Sequence, residues 1–156
     1  MRNVSVVLGR EGEQHKAAVT LSSGAELLGL HAKDSLSLAA KIEEGFPIRT
    51  FLRLQGTLDV ASAELAKLVN ITSRTLARRK AEGRLRPDES DRLLRVTRIY
   101  KLAFDLFDSD RSAALAWLRR PNRALNDKTP LRLATTDVGA REVERLVTRL
   151  EHGVST

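Results

Sequence analysis

Cysteine is absent from the chain, so no disulfide framework, thiolate metal site or cysteine nucleophile is available. Redox chemistry is thereby excluded from its own side chains, and a reducing compartment suits it. Aromatic residues are scarce: four Phe, one Tyr and one Trp are too few for a surface on which single-stranded bases stack, so double-stranded DNA is preferred to single strands or RNA as a nucleic-acid partner. No apolar run approaches the roughly 18 residues that cross a bilayer. The short one in "MRNVSVVLGREGEQHK" is broken by Gly9, Arg10 and Glu11 before it reaches the length of a secretory segment. A cytoplasmic protein with no membrane partner is expected. Walker loops, dinucleotide fingerprints and nucleophile elbows are also missing. His15, His31 and His152 lie far apart, and the acidic cluster Asp105, Asp108 and Asp110 lacks the glycine and closing glutamate of a calcium loop. That cluster reads as a helix end followed by an N-cap. These absences together predict a non-enzyme that needs no metal or cofactor.

What is present is positive charge, unevenly placed. The 156 residues carry a formal net charge of +7, a length suited to one domain or two small subdomains. Residues 1–46 hold five Lys/Arg against six Asp/Glu, residues 47–120 sixteen against nine, and residues 121–156 six against five. The excess therefore sits in the middle. Between Arg74 and Arg86 stand Arg74, Arg78, Arg79, Lys80, Arg84 and Arg86 against the single acid Glu82, which makes a polyanion the first partner to consider.

The periodicity is helical over most of the chain. "NVSVVL" and "KAAVTL" fit either two short strands or a loosely ordered arm, but from Ser22 onward apolar residues recur at three- and four-residue spacings. "SSGAELLGL" reads as a short helix. Another is predicted after Asp34, stopping at Gly45, with Leu36, Ala39, Ala40 and Phe46 on its apolar side. Pro47 suits the first residue of "PIRTFLRLQG", with Ile48, Phe51, Leu52 and Leu54 inward and Gly56 as the stop. Ser62 and Ser73 are expected as N-caps of two short helices, and Pro87 opens a long one with Leu93, Val96, Tyr100, Ala103, Phe104 and Phe107 along one face. "RSAALAWLRR" follows, ended by Pro121, with Trp117 as a core or interface anchor. Thr129 with Pro130, and then Thr136, mark the last two helices, the final one turning Val143, Leu146, Val147 and Leu150 inward and ending at Gly153. The expected fold class is all-α.

"AELAKLVNITSRTLARR" reads as a helix-turn-helix. Leu65, Val69, Ile71 and Leu76 hold its two helices together, Ala66 permits their close approach, and Asn70 tolerates the positive φ of the turn. With Leu76 inward, Ser73, Arg74, Ala77 and Arg78 face outward from the part of the second helix that enters a major groove. Arg74 and Arg78 suit bidentate contacts to guanine, and Thr72, Thr75 and Arg79 suit backbone phosphates. Lys80, Arg84 and Arg86 add longer-range attraction. A helical hairpin that contacts protein instead of DNA has the same local pattern.

The helix-turn-helix, the long helix and then "NRALNDKTPLRLATTDVGAREVERLVTRLEHGV" resemble the antitoxins of the Xre/MbcA/ParS family. The specific part is Asn122 with Ala124 and Leu125, then Thr129-Pro130-Leu131, then Thr136, Gly139, Val143 and Leu146, closing at Gly153, and the likeness covers about residues 45–154. Asn126-Asp127 and Asn70 stand where the family often has glycine, and both are residue types that turns accept. The resemblance implies a type II antitoxin with an all-α helix-turn-helix core and a small helical toxin-binding domain. Residues 1–46 would then serve dimerisation, 47–120 DNA binding and 121–156 toxin binding. The implied partners are a RES-domain toxin, which acts on NAD by degrading it or transferring ADP-ribose, and operator double-stranded DNA, within a complex built on a homodimer. The antitoxin itself would bind no NAD and act by occluding the toxin. The residues implied to face the toxin are Asn122, Leu125, Thr129, Arg132, Thr136, Arg141, Arg145 and Arg149. A stand-alone transcriptional regulator whose tail is only core is the alternative.

Overall fold

A computed structural model describes residues 24–153. The two strand-like stretches of the N-terminal arm lie outside the described residues. After a helical turn over residues 24–27, the elements are α1 (Ser35–Glu44), α2 (Ile48–Leu58), α3 (Ser62–Leu68), α4 (Ser73–Glu82), α5 (Pro87–Leu106), α6 (Arg111–Arg119), a 3-10 turn (Arg123–Leu125), α7 (Pro130–Leu133) and α8 (Asp137–Glu151). No strand occurs among the described residues, as the helical periodicity requires. No helix among them is long and apolar enough to cross a membrane.

α5 is the hub. Pro87 opens it at the first helical position, and Glu89 returns a carboxylate oxygen to the Arg86 N–H at 2.8 Å. Leu93, Leu94, Val96, Thr97, Ile99, Tyr100 and Ala103 are all buried, so the helix is covered around most of its circumference, by α1 and α2 on one side and α6, α7 and α8 on the other. Phe104 and Phe107 are only half-buried. Phe107 tilts against Trp117 of α6 with ring centroids 6.3 Å apart, which gives Trp117 its anchoring role.

Local rules explain most boundaries. α1 begins with a reciprocal box in which Asp34 Oδ1 accepts from the Ser37 N–H at 2.7 Å and the Asp34 N–H donates to Ser37 Oγ at 3.1 Å. α6 begins where Asp110 accepts from the Ala113 N–H at 3.0 Å, so the acidic cluster is a helix end and a cap. Thr129 accepts from Arg132 N–H, and Thr136 from Gly139 N–H, at the starts of α7 and α8. Gly139 is there because α8 crosses α7 closely: a Cβ would lie 2.3 Å from the Leu133 carbonyl oxygen. Asn126 and Asp127 have φ of 54° and 57°, the left-handed conformation that their short polar side chains tolerate.

Several sequence expectations are corrected. On α1 the buried residue is Leu38, with Ile42 one turn later, while Leu36 is 82 % exposed and Ala39 and Ala40 face solvent. The i, i+4 pair Leu38 and Ile42 competes for the same helix with Leu36 and the two alanines, and it buries more carbon against α5. Pro47 is the N-cap of α2 rather than its first residue, and α2 runs through Gly56 to Leu58, ending at Asp59 in the left-handed region. Leu58 is fully buried, which carries the helix past the glycine, and Leu52, expected inward, is half exposed. The N-caps of α3 and α4 are Ala61 and Thr72, each one residue before the expected serine. Ser62 instead donates to Gln55 Oε1 at 2.8 Å. Leu150 is 41 % exposed, because the last turn of α8 extends past the surface that it packs on.

Candidate functional site

Two regions carry exposed, oriented chemistry: the helix-turn-helix of α3 and α4, and the C-terminal unit from the 3-10 turn through α8. In the first, Leu65, Ala66, Val69, Ile71 and Leu76 are buried and fuse the two helices. Asn70 has φ 53°, and its N–H closes on Lys67 O while Ile71 N–H reaches Ala66 O at 2.8 Å, so the turn is tight. Thr72 accepts from the Thr75 N–H at 3.1 Å and starts α4. Ser73, Arg74, Ala77, Arg78 and Lys80 are exposed on α4, and Thr75 is half-buried. Arg74 and Lys80 have no ion-pair partner among the described residues, while Arg78 reaches Glu82 only at 4.0 Å. The outward face is therefore cationic and available.

Arg79 is a correction. It is 2 % exposed, with Nε 2.7 Å from Glu89 Oε2, Nη2 3.0 Å from Glu89 Oε1 and Nη1 2.9 Å from Glu82 Oε2, so it cannot reach a phosphate from this position. The bond to Glu89 raises its pKa further above the ordinary arginine value, against the opposing effect of burial. The sequence held the signal: Arg79 lies three residues after inward-facing Leu76, hence on the same face of α4.

Other members of the basic middle segment also hold the fold. Arg92 Nε donates to the Val69 carbonyl at the end of α3 at 2.6 Å. Arg84 donates to the Gly45 carbonyl beyond α1. Arg111 reaches the carbonyls of Gly56 and Thr57, and Arg119 those of Leu58 and Asp59, at the end of α2. Carbonyls at helix ends are short of partners within the helix, and a guanidinium adds one while favouring the negative end of the helix dipole; Gly56 O also accepts from the Asp59 N–H. The charge excess of the middle segment is thus divided between a solvent-facing set on α4 and a helix-capping set, a division that charge counting alone does not reveal.

In the C-terminal unit, the eight sequence candidates separate by role. Asn122 caps the 3-10 turn by accepting from the Ala124 N–H at 2.9 Å, and its backbone pairs with Lys128. Thr129 and Thr136 are helix caps. Leu125 is 6 % exposed and belongs to the core, which corrects its expected place at the surface. Arg132, Arg141, Arg145 and Arg149 are all exposed. Arg141 pairs with Asp137 at 2.9 Å and Arg145 with Glu142, while the Arg132 and Arg149 side chains have no ion-pair partner among the described residues. α8 turns Val143, Leu146 and Val147 into the core yet leaves Val138 73 % and Leu150 41 % exposed. Arg98 Nη2 of α5 lies 2.7 Å from Glu144 Oε1 and pins the helix.

A tight helix hairpin with a cationic second helix, fixed to a central helix that also carries a capped helical tail, defines a helix-turn-helix protein with an appended interaction domain. Residues 37–98 match the antitoxin Xre-like helix-turn-helix domain, and residues 102–153 match the antitoxin Xre/MbcA/ParS C-terminal toxin-binding domain. The chain is 36 % identical over 128 residues to antitoxin Xre of Yersinia enterocolitica, covering 81 % of this chain and 86 % of that protein. Antitoxin Xre of Photorhabdus laumondii is 31 % identical with the same coverage, and that of Pseudomonas putida 28 % over 114 residues, 72 % of this chain and 70 % of that one. The chain belongs to the Xre/MbcA/ParS family of antitoxins. The matched region starts at residue 37 and so takes in most of α1, upstream of the residues that carried the resemblance by motif.

Proposed function

We propose that this protein is the antitoxin of a type II pair that binds a RES-domain, NAD-acting toxin through α7 and α8, occludes its active site and represses its own operon through α4. It acts by binding, without a cofactor. The observation that carries this reading is the outer face of α8, where exposed Val138 accompanies Arg141, Arg145 and Arg149 although the inward stripe is already filled, while Leu150 prolongs that stripe beyond the core into solvent. Apolar side chains left outside a completed core supply association energy, and flanking arginines suit a partner pocket that takes an anionic substrate. Arg132, exposed on α7, is a further contact, and Asn122, Thr129 and Thr136 contribute by capping the turn and helices that carry the surface.

On this reading the protein works in the cytoplasm as a homodimer, residues 1–46 supply self-association, 47–120 bind DNA and 121–156 bind the toxin. Support for the first of these is the apolar strip Leu36, Ala39 and Ala40, which α1 leaves in solvent. A symmetric dimer places two α4 helices on operator half-sites about one DNA turn apart. Co-expression with a RES-domain toxin, taken from the neighbouring reading frame, is the test: growth rescue and copurification are expected. Operator binding without either would favour a stand-alone regulator.

A further inference from the structure

Between the helix-turn-helix and the C-terminal unit lies an open groove of about 500 Å³ that belongs to neither alone. Glu64, Lys67 and Leu68 of α3 form one wall, and Arg119, Leu131 and Arg132 stand on the other side. Leu131 is buried and Leu68 half-buried, which gives the groove an apolar floor. Its rim carries three cations against one carboxylate. The Lys67 and Arg132 side chains are exposed and have no ion-pair or hydrogen-bond partner among the described residues. Arg119 is held in place by the carbonyls of Leu58 and Asp59, so its charge is preorganised at the edge rather than free to swing away.

We infer that this groove is a second docking point for the toxin and takes an acidic segment of it carrying an apolar side chain. The inference rests on the toxin-binding reading above. Charge complementarity selects an acidic occupant, and the leucine floor selects one that also buries carbon. A duplex backbone fits less well, because a concave groove with Glu64 on its wall offers few phosphates simultaneous contact. The placement has a functional consequence. An occupant that touches both α3 and α7 fixes the C-terminal unit against the DNA-binding unit, so toxin and operator affinities become linked, each altering the other by the same factor.

The test uses the full-length protein, the cognate RES-domain protein and operator DNA. The double variant Lys67→Glu/Arg132→Glu replaces two exposed, unpaired side chains and should melt like the wild type. It should weaken the toxin complex at least ten-fold, flatten its salt dependence and abolish the effect of toxin on operator affinity. Lys67→Arg should bind as the wild type does, and the control Lys41→Glu/Arg49→Glu should leave the toxin complex unchanged. Wild-type toxin affinity in K67E/R132E would overturn the groove assignment while leaving the antitoxin reading intact. Loss of operator binding alone, with the toxin held normally, would overturn it in favour of phosphate contact. Failure of the wild type to bind the RES-domain protein would remove the antitoxin reading, and the groove assignment with it.

Discussion

Arg79 and Glu89 form a two-pronged ion pair, at 2.7 and 3.0 Å, that ties the inner face of α4 to the first turn of α5. The same Glu89 carboxylate accepts from the Arg86 N–H, so one side chain sets both the seat of α4 and the start of the hub helix. Removing Arg79 leaves Glu89 charged and out of water, and removing Glu89 leaves the buried guanidinium with only the half-exposed Glu82 carboxylate. Glu89→Ala should therefore cost about 3–5 kcal/mol in a urea titration, whereas Arg79→Met/Glu89→Leu, which removes both charges, should recover most of that loss. Equal instability of the single and double variants would mean that packing around α4, not the charge pair, is the critical element.

The exposed cations of α4 should behave differently from Arg79. Arg74→Ala or Arg78→Ala should weaken operator binding by about 1–3 kcal/mol and relax preference at one base position, with the melting temperature unchanged. Lys80→Ala should weaken binding to all sequences alike and reduce the slope of log K against log salt by about one. A salt titration without slope would exclude DNA as the partner of this face.

Two helical glycines should respond with opposite signs. At Gly56 in α2 a Cβ meets nothing within 4 Å, so Gly56→Ala should stabilise by about 0.5–1 kcal/mol through the ordinary helix preference. At Gly139 a Cβ would lie 2.3 Å from the Leu133 carbonyl oxygen and 2.8 Å from Thr136 Oγ1, the atom that caps α8. Gly139→Ala should cost about 1–3 kcal/mol and weaken the toxin complex as α7 and α8 separate. Denaturant melts of the two variants, compared with the wild type, decide both.

The helix-turn-helix was legible in the sequence because its rules are local: apolar spacing and a turn that needs Asn70, although each N-cap fell one residue before the serine expected to supply it. The C-terminal unit was legible for the same reason, since Thr129-Pro130 and Thr136 announce their helices. The arginines were not. Whether Arg92 meets DNA or the Val69 carbonyl depends on how α5 lies against α3, and whether α2 stops at Gly56 or continues depends on Arg111 and Arg119, more than 50 residues away. Leu36 misled for a related reason: composition makes it a core candidate, and only the packing of α1 on α5 shows that Leu38 and Ile42 face inward.

Acid stability should report on the start of α8. Asp137 is held below the ordinary aspartate range, first by the hydrogen bond from Arg141 and further by the charges of Arg141, Arg95 and Arg98. A carboxyl whose folded pKa is depressed contributes stability that is present above its unfolded value, about 3.9, and is lost as pH falls through the folded one. At neutral pH the wild type should therefore melt above Asp137→Asn, and the gap should close as the pH drops below about 4. The Arg141–Asp137 pair is exposed on both sides, so added salt should also narrow the gap at neutral pH. Asp34, held low chiefly by the Ser37 N–H, should follow the same acid profile with less salt sensitivity, because its main partner is a backbone dipole rather than a charge. A gap for Asp137→Asn that persists unchanged at pH 2 would show that the asparagine perturbs the first turn of α8 by shape, and that the carboxylate charge is not what holds it.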